Sequence, residues 1–148
     1  MTRKRSRPSP PQPGVVVFGE VLCDLFAPAA GTPLSTAPHL VPRSGGAPSN
    51  VAVQLARLGV PTTLVTATGK DPFGARLRQS LKDEGVDVSC VVEKPGRRTG
   101  CTLVEVAADG ERSFYGFREN SADLALDEAD VDTKAVRAAV KAAAVVHT

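Results

Sequence analysis

Four apolar residues in succession, Val15-Val16-Val17-Phe18, set the first limit on the fold. The run is too short to make a helix of its own and offers no polar side, which is the pattern of a parallel strand covered on both faces. A helix is predicted over residues 48–58. Pro48 suits a first helical position, Val51, Leu55 and Leu58 fall on one stripe beside Ala52 and Ala56, and Gly59 stops the helix. Residues 62–67 form a second buried strand. Asp71 then caps a second helix with Pro72 in its first turn, Phe73, Leu77 and Leu81 spaced four apart, and Gly85 at its end. Strand, helix, strand and helix in turn predict an α/β fold with a mostly parallel sheet flanked by helices.

The alternation breaks in two places. Residues 27–44 are rich in Pro, Gly, Ser and Thr and read as a loop or short edge strands. Between residues 88 and 118 three strand-like runs follow one another, 88–93, 99–106 and 111–117, with Asp109-Gly110 as a hairpin turn. Successive strands do not belong to a doubly wound core, so they predict a small antiparallel sheet, a lid over a cleft. Residues 133–141 read as a helix and 143–147 as the next core strand. A sheet that stops on an uncovered apolar strand is a poor place for a domain to finish, so the fold reads as truncated.

Charge and cysteine content exclude several classes of function. The 148 residues suffice for one domain with a real core, built from Val, Leu and Ala because aromatics make up only 4%. Of the 18 basic residues, Arg3, Lys4, Arg5 and Arg7 lie in the first fourteen positions, with no acid among them. That stretch turns Pro-rich and reads as a disordered tail over 1–14. The remaining chain is slightly acidic, so no nucleic-acid-binding face is expected. Cys23, Cys90 and Cys101 form no CxxC pair and only His39 and His147 could join them, so no metal site is expected. An odd cysteine count without a signal peptide predicts a cytoplasmic protein, and no apolar run is long enough to span a membrane.

Ligands of open α/β sheets bind beyond the carboxyl ends of the strands, and three segments fall there. Gly19-Glu20-Val21-Leu22-Cys23-Asp24 places Asp24 just past the first strand. Its carboxylate serves either as a loop or cap acceptor or as the acceptor of two sugar hydroxyls. Gly45-Gly46-Ala47-Pro48-Ser49-Asn50 opens a helix. It is either a tight turn before a well-capped helix or a place where a ligand meets bare backbone and the Asn50 amide. Phe114-Tyr115-Gly116-Phe117-Arg118 ends the hairpin, as a surface strand or as the closing edge of a lid. Neither GxGxxG nor GxxxxGK[ST] occurs. Turn and cap chemistry accounts for Gly69-Lys70-Asp71-Pro72-Phe73-Gly74.

GEVLCDLF at 19–26, GGAPSNVAVQLARLG at 45–59, GKDPFGARLRQSLKDEGV at 69–86, TG at 99–100, DGERSF at 109–114 and SAD at 121–123 occur in the order seen in the ribokinase-like (PfkB) carbohydrate kinases, which the chain resembles over residues 15–148. Ala-Pro after the two glycines, Phe-Arg at 117–118 and the SAD segment are most similar to fructokinases. The resemblance implies a Rossmann-like sheet with a β-lid that often helps form homodimers. It implies that Asp24, Gly45, Gly46 and Asn50 hold sugar hydroxyls, with Thr99 and Cys101 on lid strands near the sugar and Phe117 and Arg118 closing over it. Phe117 stands where many fructokinases have Tyr.

Family members run for roughly as long again and carry a Gly-Ala-Gly-Asp segment whose aspartate acts as base; no Asp here follows Gly-Ala-Gly. The resemblance therefore implies that the parent enzyme uses ATP and Mg2+ to phosphorylate a small sugar, fructose first. It further implies that this chain holds neither the catalytic base nor the ATP site and is inactive alone. The alternatives are a kinase for another sugar or a sugar acid such as 2-keto-3-deoxygluconate, whose carboxylate Arg118 would pair, and a non-catalytic sugar-binding fragment.

Overall fold

The structure is a computed structural model that describes residues 13–148. The tail expected at 1–14 falls almost wholly outside the described residues. The first strand, β1 (Gly14–Phe18), pairs in parallel with β4 (Thr62–Gly69) on one side and with β8 (Ala143–His147) on the other. Alternate side chains of β1 enter two separate cores, which is why no polar residue appears in the run. Val17 packs with Leu64 and with Ala52 of α1 (Ala47–Arg57) and Leu77 and Leu81 of α2 (Pro72–Asp83). Val16 packs on the other face with Val65, Cys90 and Val136 of α4 (Lys134–Ala142). The core sheet runs β5 (Val91–Lys94), β4, β1, β8, all parallel, with Val145 and Val146 of the edge strand β8 exposed.

Both long helices end as their sequences predict. Gly59 and Gly85 adopt φ of 80° and 83°, and each following N–H turns back to the helix, Val60 to Leu55 and Val86 to Leu81. This is the Schellman stop, which needs a left-handed residue that glycine supplies without strain. The predicted stripes are narrower than expected. Leu58 and Phe73 are exposed, because each lies at a helix end beyond the reach of the sheet.

The second sheet departs further from expectation. Its order is β3-β2-β6-β7, built from β2 (Leu22–Phe26), β3 (Val41–Gly45), β6 (Cys101–Val106) and β7 (Arg112–Phe117). Two antiparallel hairpins flank a parallel central pair, β2 with β6, so the lid is mixed. The run at 88–93 is not one of its strands. Residues 91–94 form β5 (Val91–Lys94), which pairs in parallel with β4 in the core sheet. After α2 the chain returns to the sheet as a βαβ unit must, burying Val86 and Cys90 on the way. The Asp109-Gly110 turn joins β6 to β7 as predicted, with Gly110 at φ 92°. After β7 come a single 3-10 turn (Asp123–Ala125) and the short α3 (Glu128–Val131), which lead to α4.

Candidate functional site

Asp24 lies within β2, not in a loop past the first strand. Gly19 makes this possible. Its φ of 145° turns the chain out of β1, and a side chain there would overlap Pro48 Cγ at 2.3 Å. In register, Asp24 stands between Arg43 of β3 and Thr102 of β6, and Thr102 stands beside Gly116 of β7. Residues opposite one another share a face, so the lid carries a polar row, Arg43–Asp24–Thr102–Gly116. The next row outward is apolar, Val41–Phe26–Val104–Phe114, and the Arg43 guanidinium sits 5.0 Å from the centre of the Phe26 ring.

The inward row is nearly bare, and the bareness is structural. A Cβ on Gly45 would lie 2.1 Å from Asp24 Oδ2, so the carboxylate occupies the space that the glycine leaves. No described residue donates a hydrogen bond to that half-buried carboxylate, and burial pushes its pKa above the ordinary 3.8. Gly46 caps α1 at φ 98°, where a Cβ would meet the Glu20 carbonyl oxygen at 2.6 Å. Asn50, exposed on the first turn, lines a cleft of about 750 Å3 between α1 and α2 together with Arg43, Ser44, Gln54, Arg76 and Ser80. Arg43 belongs to both the cleft and the polar row, so Asp24, Gly45, Gly46 and Asn50 converge around β3.

Arg118 reaches the same face from beyond β7. Its Nε donates to Asp123 Oδ2 at 3.2 Å and its terminal nitrogen donates to the same oxygen. The Asp123 side chain is only 2% exposed, and Ser121 Oγ donates to its other oxygen at 2.6 Å. A Cβ on Gly100 would lie 2.8 Å from Asp123 Oδ1 and 2.7 Å from Leu22 Cδ2, which puts this cluster one row inward of Asp24 and Thr102.

Thr99, Cys101 and Phe117 lie elsewhere. Thr99 is buried, and its hydroxyl accepts from Gly69 N at 3.0 Å and donates to Asp71 Oδ1 at 2.8 Å. Its own N–H donates to Asp71 Oδ2 at 2.7 Å, while Asp71 Oδ1 caps α2 through Gly74 N. Cys101 pairs in register with Cys23 and Phe117, on the opposite side of the sheet from Thr102. Burial pushes both thiols up, Cys23 to about 11. Phe117 and Tyr115 are exposed beside Leu103 on that side, at the β7 edge, while Cys23, Leu25 and Cys101 on the same side pack against the core. Thr102 and Arg43 were not singled out from the sequence. The alternation of β6 holds the signal, since Thr102 and Cys101 must face opposite ways, but only the register with Asp24 says which one matters.

The N-termini of α1 and α2 carry carboxylates already. Ala47 N donates to Glu20 Oε1 at 3.2 Å, and Asp71 caps α2. Neither offers an open cradle for phosphate. Among the described residues no group of three or more His, Cys, Asp or Glu is arranged to hold a metal ion, and no helix is long and apolar enough to cross a membrane.

Fructokinase-1 of Oryza sativa subsp. japonica is 44% identical over 133 residues, which is 90% of this chain and 40% of that protein. The crystal structure of fructokinase with bound ATP from Xylella fastidiosa is similar with a TM-score of 0.75 and 35% identity, over 90% of this chain and 38% of that one. That of 2-dehydro-3-deoxygluconokinase from Thermotoga maritima gives a TM-score of 0.83 and 26% identity, over 92% and 40%. The chain thus spans about two fifths of the length of the relatives it matches. The family profile described as pfkB family carbohydrate kinase matches residues 12–148, and the chain belongs to that family.

Proposed function

We propose that this chain is the sugar-binding part of an ATP-dependent kinase whose substrate is a small sugar, with fructose first. The observation that supports it best is the Asp24 carboxylate. It is half-buried, has no donor among the described residues, lies in the space cleared by Gly45 and stands beside Thr102. A desolvated carboxylate with two free oxygens is suited to accept a pair of neighbouring hydroxyls, which strengthens each hydrogen bond with charge. Gly46 and Asn50 add bare backbone and an amide at the mouth. The fructokinase relatives favour the same substrate.

The same residues do not fit ATP. Glu20 and Asp71 already occupy the starts of α1 and α2, and the sequence has no Gly-Ala-Gly-Asp. The role of the chain is to bind and orient the sugar, and the 148 residues alone transfer no phosphate. ATP with Mg2+ would supply the phosphoryl group when bound to the parent enzyme. The β7 edge of the lid, with Tyr115 and Phe117 exposed beside Leu34 and Leu103, suits a second copy of the chain.

Calorimetric titration of the chain with D-fructose tests this. Binding should be saturable, weakened about a hundredfold or more in Asp24→Ala, and unaccompanied by ADP formation when ATP and Mg2+ are added. ADP formation that depends on Asp24 would show that the chain is a complete kinase. Absence of any sugar binding would remove the sugar-site reading.

A further inference from the structure

One of the cations on the Asp24 face, Arg118, is already paired. Arg118 is one third exposed, yet its guanidinium is held by two nitrogens against an Asp123 carboxylate that is almost fully buried and further fixed by Ser121. Gly100 makes the pairing possible, because any side chain there would strike Asp123 Oδ1 and Leu22. Residues two apart along a strand are separated by about 7 Å, so the pair sits about one such step from Asp24 and Thr102. The other charges around the mouth are Asp24 itself, Glu20 on the start of α1, Arg43 over Phe26 and Arg76 in the cleft between α1 and α2. With Arg118 neutralised by Asp123, these four cancel and leave no net positive charge to draw an acid.

We infer that Asp123 is a specificity-determining residue that positions and neutralises Arg118, so that the site takes uncharged sugars and turns away sugar acids. This rests on the sugar-site reading above. A free arginine would pair a sugar carboxylate through two parallel hydrogen bonds. Here the matching edge of the guanidinium faces a protein carboxylate instead, and an incoming anion would have to displace it next to Asp24. A fixed guanidinium still donates its outward N–H groups to a neutral hydroxyl. Discrimination then comes from a repulsive element as much as from an attractive one.

Titration of the full chain with D-fructose and, separately, with 2-keto-3-deoxygluconate tests the inference. The wild type should prefer fructose by about tenfold or more, and Asp123→Asn, which frees the guanidinium, should narrow or reverse that ratio by at least as much. A merely structural role for Asp123 would weaken both ligands alike and leave the ratio unchanged, which would overturn the inference. If Asp123→Asn does not fold, Arg118→Gln decides. Loss of sugar-acid binding with fructose binding kept would make Arg118 a carboxylate receptor and sink the inference. Acid affinity no lower than in the wild type would support it. A wild type that binds the acid as well as fructose refutes the inference alone, whereas one that binds neither refutes the sugar site and the inference with it.

Discussion

At Gly45 and Gly46 two adjacent glycines do different work. Gly45 leaves room for a carboxylate, the movable end of a side chain, so Gly45→Ala should keep the fold and swing Asp24 away, costing about tenfold or more in fructose affinity. Gly46 is left-handed and lies against backbone, so Gly46→Ala should cost about 1–3 kcal/mol and lower Tm by several degrees. Thermal melts beside sugar titrations separate the two; a large Tm loss for Gly45→Ala would contradict the assignment. Asp24 carries a sign of its own. Its folded pKa is raised, so its ionisation opposes folding above the ordinary carboxylate range, and Asp24→Asn should be at least as stable as wild type at neutral pH. The placement of Gly46 and Asn50 was legible because each follows a local signal, a helix start, whereas Asp24 was expected just past the first strand and lies within β2. Thr102 and Arg43 were not legible, because a cross-strand neighbour is defined by register between segments far apart in sequence. Cys101 was chosen one residue away from Thr102, and in a strand one residue is the opposite face.

Among the elements, the N-terminus of α2 ties the lid to the core. Asp71 holds Gly74 N in its own helix and both the N–H and hydroxyl of Thr99, where the chain leaves the core for β6. Gly69 and Gly74 keep that knot tight, since a Cβ on either would strike Asp71, Thr99 or nearby backbone. Burial opposes the charge on Asp71, but the hydrogen bonds together hold its pKa below 3.8. Its stabilisation is therefore present above the unfolded-state pKa and lost as pH falls from about 4 through the lower folded value. Asp71→Ala should cost about 1–2 kcal/mol at neutral pH from the cap alone and flatten stability against pH in that acid window. An unchanged acid profile would mean that Asp71 is not the group responsible. Helix stops were readable from Asp71, Gly59 and Gly85 because capping is local chemistry. The sheet to which a strand belongs was not: residues 88–93 and β2 look alike as short apolar runs, and only packing sends one to the core and the other to the lid.

On the scale of the whole molecule, the two sheets divide the labour. The parallel sheet buries Val, Leu and Ala between helices, and the mixed sheet holds polar groups out at its mouth. All six residues of β7 are exposed, with Tyr115 and Phe117 on the side away from Asp24. If that outer side meets a second copy, sedimentation should show a dimer that Phe117→Glu converts to a monomer; a wild-type monomer at high concentration would remove the proposed interface. The central claim is that the Asp24 face binds sugar. It is tested most directly by titrating the isotope-labelled chain with D-fructose and following backbone amide shifts. Saturable shifts should gather at Asp24, Gly45, Gly46, Asn50, Thr102 and Gly116 and vanish in Asp24→Ala. Shifts that lie elsewhere, or that persist unchanged in Asp24→Ala, would contradict it.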